Sequence, residues 1–184
     1  MADSMNEKGI GSEEILELVR SRAENLYHSR GLCCSQAVLL AINGGFRGHL
    51  TEELAIRIGA GFCGGIGEAG CVCGGLAGAV MALGLFLSPG APHGLREKKF
   101  RRLSKKLHDS FHEKAGSTCC RVLIENFQSD KSGQKKYCRG LTGYAAELAA
   151  GLLLKVRPEL AGQADLEFMR QRDSLLVGLI KKMN

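Results

Sequence analysis

Apolar residues recur at intervals of three and four along most of the chain, the spacing of helices that bury one side. Ile15, Leu18, Val19, Arg22 and Leu26 define a first amphipathic helix, with Ser12 placed as its N-cap and Gly31 near its end. A second helix is predicted over residues 33–46, where Gly44 and Gly45 begin to break it. Thr51 then caps a third, whose apolar side carries Leu54, Ala55 and Ile58. From residue 59 to 78 the texture changes to GAGFCGGIGEAGCVCGGLAG. That stretch is too rich in glycine for a continuous helix and predicts a turn with closely approaching backbone, leading into a strongly apolar helix over 76–87.

Pro89 and Pro92 separate this helix from one in which Phe100, Leu103, Leu107 and Phe111 share a side and which ends near Gly116. Ser117 is placed to cap a short helix reaching Phe127, residues 128–135 read as a polar loop, and residues 137–156 read as a long helix before Pro158. In the last segment Phe168, Leu175, Leu176, Leu179 and Met183 share one face of a terminal helix. No repeat of fixed period occurs. The pattern therefore predicts an all-α fold, an irregular bundle of about eight helices with a Gly/Cys-rich turn. Residues 1–11 are expected to be a disordered tail and 12–184 a single helical domain.

Composition supports that class. A chain of 184 residues with 45% hydrophobic content can form one core without covalent staples. Three prolines, no tryptophan and few Val/Ile/Thr runs argue against a sandwich or barrel. Residues 69–95 carry no formal charge, but seven glycines and two prolines dilute them, and the apolar part has the length of a buried helix rather than a membrane span. The N-terminal segment lacks the basic-then-apolar pattern of a secretory signal. A cytoplasmic location is therefore expected, with the cysteines beginning as thiols.

The net charge of +6 is concentrated in residues 96–106, where Arg96, Lys98, Lys99, Arg101, Arg102, Lys105 and Lys106 stand against Glu97 alone. A solvated helix face accounts for this better than an acidic-partner site. Nucleic acid is disfavoured because no recognition motif or aromatic interleaving accompanies the basic residues.

Eight cysteines in a chain of this kind point to metal-binding or redox chemistry rather than a secreted disulfide framework. Cys33 and Cys34 open one predicted helix, Cys71 and Cys73 precede another, and Cys119 and Cys120 follow the cap Ser117. Unpaired N–H groups and the macrodipole at helix starts favour an anion, so lowered thiol pKa values are expected there. Any single cysteine is more often a small buried hydrophobe, but packing alone does not require six of eight at three helix starts. Vicinal cysteines are poorly spaced for a bridge, so disulfides are expected between segments.

The order and intervals of these segments resemble those of the C-GCAxxG-C-C family of redox-active proteins, over roughly residues 26–154. Cys34-Ser35-Gln36-Ala37-Val38-Leu39 resembles its first cysteine segment. Residues 61–67, followed by Cys73-Gly74-Gly75-Leu76-Ala77-Gly78, resemble its glycine motif, with Gly75 in place of the usual alanine. Gly116-Ser117-Thr118-Cys119-Cys120-Arg121 is similar to the third segment with Cys120 in register, and Cys138 to the fourth. The resemblance implies a redox role centred on Cys34, Cys73, Cys120 and Cys138. Cys33, Cys63, Cys71 and Cys119 are additional, and they could supply a second ligand set.

Several chemistries remain open. The four family cysteines could exchange thiol and disulfide or hold an iron-sulfur cluster, serving an as yet unnamed redox partner. Alternatively, the same sulfurs could bind zinc or another soft metal without turnover, since four thiolates suit either. A third reading is an accessory module that docks an acidic partner through residues 96–106. His108 and His112 are spaced as helical metal ligands but lack a zinc-protease glutamate. Glu68 could accept a proton near Cys71 or Cys73, though a lone carboxylate in a turn is more often solvated.

Overall fold

The computed structural model describes residues 10–174. Most of the expected N-terminal tail, together with Leu175, Leu176, Leu179 and Met183, lies outside the described residues. Among the described residues eight α-helices follow one another: α1 (Ser12–Ser29), α2 (Cys34–Gly45), α3 (Glu52–Gly59), α4 (Gly74–Leu87), α5 (Glu97–Ala115), α6 (Cys120–Leu123), α7 (Lys131–Val156) and α8 (Leu166–Arg170). Short 3-10 turns occupy Ala60–Phe62, Glu125–Phe127 and Pro158–Gln163. Among the described residues there is no strand, only an isolated antiparallel bridge between Val72 and Cys119. The fold is the expected all-α bundle. Among the described residues no helix is long and apolar enough to cross a membrane.

The centre of the bundle is α2, which packs on α1, α3, α4, α7 and α8, with α7 also lying along α1 and α4. Val38, Leu39, Ile42, Leu76, Leu83 and Leu153 are buried between these helices. On α7 the buried positions include Ala145, Ala146, Ala149 and Ala150, whose short side chains let neighbours approach closely.

The glycines of α4 explain how its first turn meets α2. Gly74 and Gly78 are one turn apart and therefore share a face. A Cβ on Gly78 would lie 2.6 Å from the Ser35 carbonyl oxygen and 3.0 Å from Ser35 Cα, so the two backbones touch there. At Gly74 a Cβ would run into the Cys34 sulfur, and at Gly59 it would come within 2.9 Å of Gln36 Cα. The start of α2 is thus held backbone to backbone from two sides. Gly78→Ala is expected to destabilise by about 1–3 kcal/mol in a urea titration, even though alanine favours helix. An unchanged midpoint would show that this seam can open freely.

Several local expectations are corrected. Gly11 occupies the N-cap position of α1, and Ser12 is already helical. On α3 only Ala55 and Gly59 are buried, while Leu54 and Ile58 are 42% and 43% exposed. Residues 131–135 are helical rather than loop, because the Asp130 carboxylate accepts from the Gly133 N–H at 2.8 Å and starts α7 early. Polar side chains there face solvent and need not break a helix. Arg22 is 1% exposed, a full guanidinium inside the apolar side of α1.

Candidate functional site

The glycine-rich segment folds into an unusual turn. Gly64, Gly65, Ile66, Gly67 and Glu68 all have positive φ, between 56° and 75°. Five successive residues therefore turn left-handed, a conformation costing roughly 1–2 kcal/mol at each residue bearing a Cβ. Glycine relieves that cost at three of the five. The turn is closed by hydrogen bonds from Glu68 N–H to the Cys63 carbonyl (3.1 Å) and from Cys71 N–H to the Gly65 carbonyl (3.0 Å). Space also demands glycine at 65, where a Cβ would lie 2.7 Å from Cys120 Cβ and 2.8 Å from the Cys71 nitrogen.

Immediately after the turn, the chain pairs with the segment before α6. Cys73 N–H donates to the Thr118 carbonyl at 2.7 Å and Cys120 N–H to the Cys71 carbonyl at 2.5 Å, flanking the Val72–Cys119 bridge. This short pairing sets the start of α4 beside the start of α6. Cys33, Cys73 and Cys119 occupy the N-cap positions of α2, α4 and α6, with Cys34 and Cys120 the first residues of their helices. Gln36 locks the first of these starts, its side chain accepting from Cys33 N–H at 2.9 Å and donating to the Ile56 carbonyl at 3.0 Å. Cys138 lies within α7 itself.

Cys34, Cys73, Cys120 and Cys138 lie close enough to repel one another as thiolates. Burial, followed by Cys73 and then by Cys138 and Cys120, pushes the Cys34 thiol up to about 12. Burial with Cys73 and Cys120 pushes Cys138 up to about 11, and burial with Cys73 and Cys119 raises Cys120. Cys73 is the foremost neighbouring charge for each of the other three. It is also the buried member, 6% exposed, with the Leu76 and Gly75 N–H groups aimed at its sulfur.

These directions overturn the expectation of lowered thiol pKa values. Three of the sulfurs do sit at helix starts, but loss of hydration exceeds the help of the nearby N–H groups, and the Cys34 thiolate would face three others. A sign follows for metal-free, reduced protein. The thiols hold their protons longer when folded than when unfolded, so their contribution to stability does not change below the ordinary thiol value of 9.0. It falls as pH rises from there through about 12. Thermal melts across that window should show the fall, and alkylation of the four cysteines should carry it away.

The remaining four cysteines divide. Cys33 and Cys63, expected as ligands of a second set, are joined as a disulfide across 30 residues, and while joined neither offers a thiolate. Cys71 is exposed, and the half-buried Cys119 donates its thiol hydrogen to the Gly70 carbonyl at 3.1 Å. Among the described residues no group of three or more His, Cys, Asp or Glu side chains is arranged to hold a metal ion. Glu68 is exposed on the turn, and His108 and His112 stack on the outer side of α5. The basic residues of α5 are exposed, with Arg101 and Lys105 pairing to Glu97 and Asp109 on the same helix.

Sequence reasoning missed two neighbours. Tyr27 of α1 has its phenol pKa raised by burial and then by Cys138, Cys34, Cys120 and Cys73, which places it beside the whole cluster. Its position one residue after the core residue Leu26 was the available signal. Ser35 is fully buried; its hydroxyl donates to the Gly59 carbonyl at 2.7 Å and lies 3.2 Å from the Cys33 sulfur.

Residues 32–152 match the family model described as "Putative redox-active protein (C_GCAxxG_C_C)". The chain belongs to this family. The matched region runs from just before α2 into α7 and includes all eight cysteines. Neither the curated proteins nor the solved structures contain a match to the chain.

Proposed function

We propose that the protein is a thiol/disulfide redox protein whose working centre is the cluster Cys34, Cys73, Cys120 and Cys138, with Cys73 as the shared partner. The observation that carries this reading is the set of four free cysteines at the starts of α2, α4 and α6 and within α7, the first three drawn together where the Cys34 sulfur meets Gly74 and the Cys120 N–H meets the Cys71 carbonyl, beside an existing disulfide. Membership of the family is in keeping with it.

The chemistry balances as an exchange with an external disulfide. A cluster thiolate attacks one substrate sulfur, forming a mixed disulfide, and the substrate's other sulfur leaves with the electron pair and takes a proton. A second cluster thiol attacks the mixed disulfide and releases the remaining substrate thiol. The substrate gains two electrons and two protons, and the protein pair becomes a disulfide. Raised thiol pKa values keep the thiolate fraction small at neutral pH, so this chemistry should accelerate as pH rises.

The test equilibrates the protein in glutathione buffers of stepped potential and counts alkylatable cysteines by peptide mass spectrometry. A two-electron transition within the four cysteines is expected, lost in Cys73→Ser and kept in Cys63→Ser. A Cys73→Ser variant titrating like the parent would sink the assignment. A thiolate metal centre, with iron-sulfur or zinc, is the second reading; it rests on the softness of four thiolates and requires the sulfurs to draw closer than they stand in the described structure. Anaerobic purification with metal and acid-labile sulfide analysis separates the two. Stoichiometric metal lost in Cys73→Ser would move the centre to that class.

A further inference from the structure

A groove of about 770 Å³ runs along α7, beginning beside Cys138 at Tyr137. Tyr137, Gly140, Leu141 and Tyr144, spaced at helical intervals, present one face of α7 to it. Phe127 forms a further wall, stacked on Tyr137 at 5.1 Å between ring centroids with 26° between planes. Lys114 and Lys136 stand at the groove, and among the described residues neither forms an ion pair. The other charges are already matched, since Arg20 donates to Glu147 at 2.9 Å and to Glu24 at 3.3 Å.

Gly140 is the telling residue. It lies inside a helix of 26 residues, where glycine costs about 0.5–1 kcal/mol relative to alanine. Its φ is not left-handed, and a Cβ there would meet nothing within 4 Å. Neither backbone conformation nor close packing accounts for glycine here, unlike Gly78 or Gly65. What a side chain at 140 would occupy is the groove.

We infer that this groove is a binding site for a planar aromatic molecule carrying a phosphate or carboxylate, stacked against the Phe127–Tyr137 pair with its anion at Lys114 and Lys136. The volume falls within the range of small-molecule sites, the aromatic walls favour a flat ring, and the two unpaired ammonium groups favour negative charge. The inference uses no cysteine and stands apart from the redox reading.

Flavin mononucleotide is a suitable probe, because its fluorescence reports stacking and riboflavin is its uncharged counterpart. Saturable quenching by the full chain at micromolar flavin mononucleotide is expected, with riboflavin weaker by about tenfold, the joint effect of two exposed ion pairs. Gly140→Leu should weaken binding by at least about tenfold while leaving the melting temperature unchanged or higher, since it fills the groove without a clash. Gly140→Ala serves as a second, milder step in the same direction. Absence of saturable quenching, equal binding of riboflavin, or Gly140→Leu binding like the parent would each overturn the assignment.

Discussion

Asp173→Ala is expected to destabilise the protein by about 3 kcal/mol and to lower its melting temperature by about 6–12 °C, although Asp173 lies far from the core helices in sequence. Its partner is Arg22, whose guanidinium donates to the Asp173 carboxylate at 2.7 Å while being only 1% exposed. Arg22 also donates to the Gln171 carbonyl at 3.1 Å, the Gln171 side chain at 3.0 Å and Asn25 at 2.9 Å, and lies over the Phe168 ring. Burial pulls the Arg22 pKa down from its usual value, with Asp173 the chief group opposing it. Its Nε is buried without a hydrogen-bond partner among the described residues. Removing the carboxylate leaves a buried positive charge with no counter-charge. Arg22→Met leaves instead a carboxylate that is 11% exposed and can hydrate, so its loss should be smaller, about 1 kcal/mol. Neither effect should depend much on salt, because the pair is shielded from solvent. Chemical denaturation of both variants checks the order; a larger loss in Arg22→Met would mean that packing of the side chain outweighs its charge.

The sequence already places Arg22 among the apolar positions of α1, but not what it binds, because Gln171 and Asp173 are about 150 residues away, in a stretch expected to be helical where the helix instead ends at Arg170 and leaves them extended toward Arg22. The same distinction holds elsewhere. Helical periodicity is local, so α1, α2, α4, α5 and α7 were legible from spacing and breakers alone. The start of α7 depended on one Asp130 side chain, and the burial of α3 depended on how little of it α2 covers; neither is a local property. At the site, the order of cysteines picked out four that resemble the family's, and glycine content pointed to a close turn. Its left-handed course was not legible, since Ile66 and Glu68 adopt positive φ only because the turn around them is pinned on both sides. Nor could helix starts alone give the sign of the thiol pKa shifts, which depends on how deeply three other helices bury them.

Cys63→Ser is expected to cost about 2–4 kcal/mol of stability yet leave the redox transition of the four-cysteine cluster in place. The Cys33–Cys63 disulfide closes a loop, across a separation of 30 residues, that contains all of α2 and α3. Cutting it returns conformational freedom to the unfolded chain, and it also releases one end of the left-handed turn, whose first hydrogen bonds involve the backbone of Cys63. Cys73→Ser should behave in the opposite way. Serine preserves the size and N-cap position of residue 73, so stability should fall little, whereas the sulfur that acts most strongly on the other three cluster members disappears. Measuring unfolding and thiol titration on both variants therefore separates covalent support from redox chemistry. If Cys63→Ser lost the titration and Cys73→Ser lost only stability, the working disulfide would be Cys33–Cys63 itself, and the buried cluster would serve as its packing.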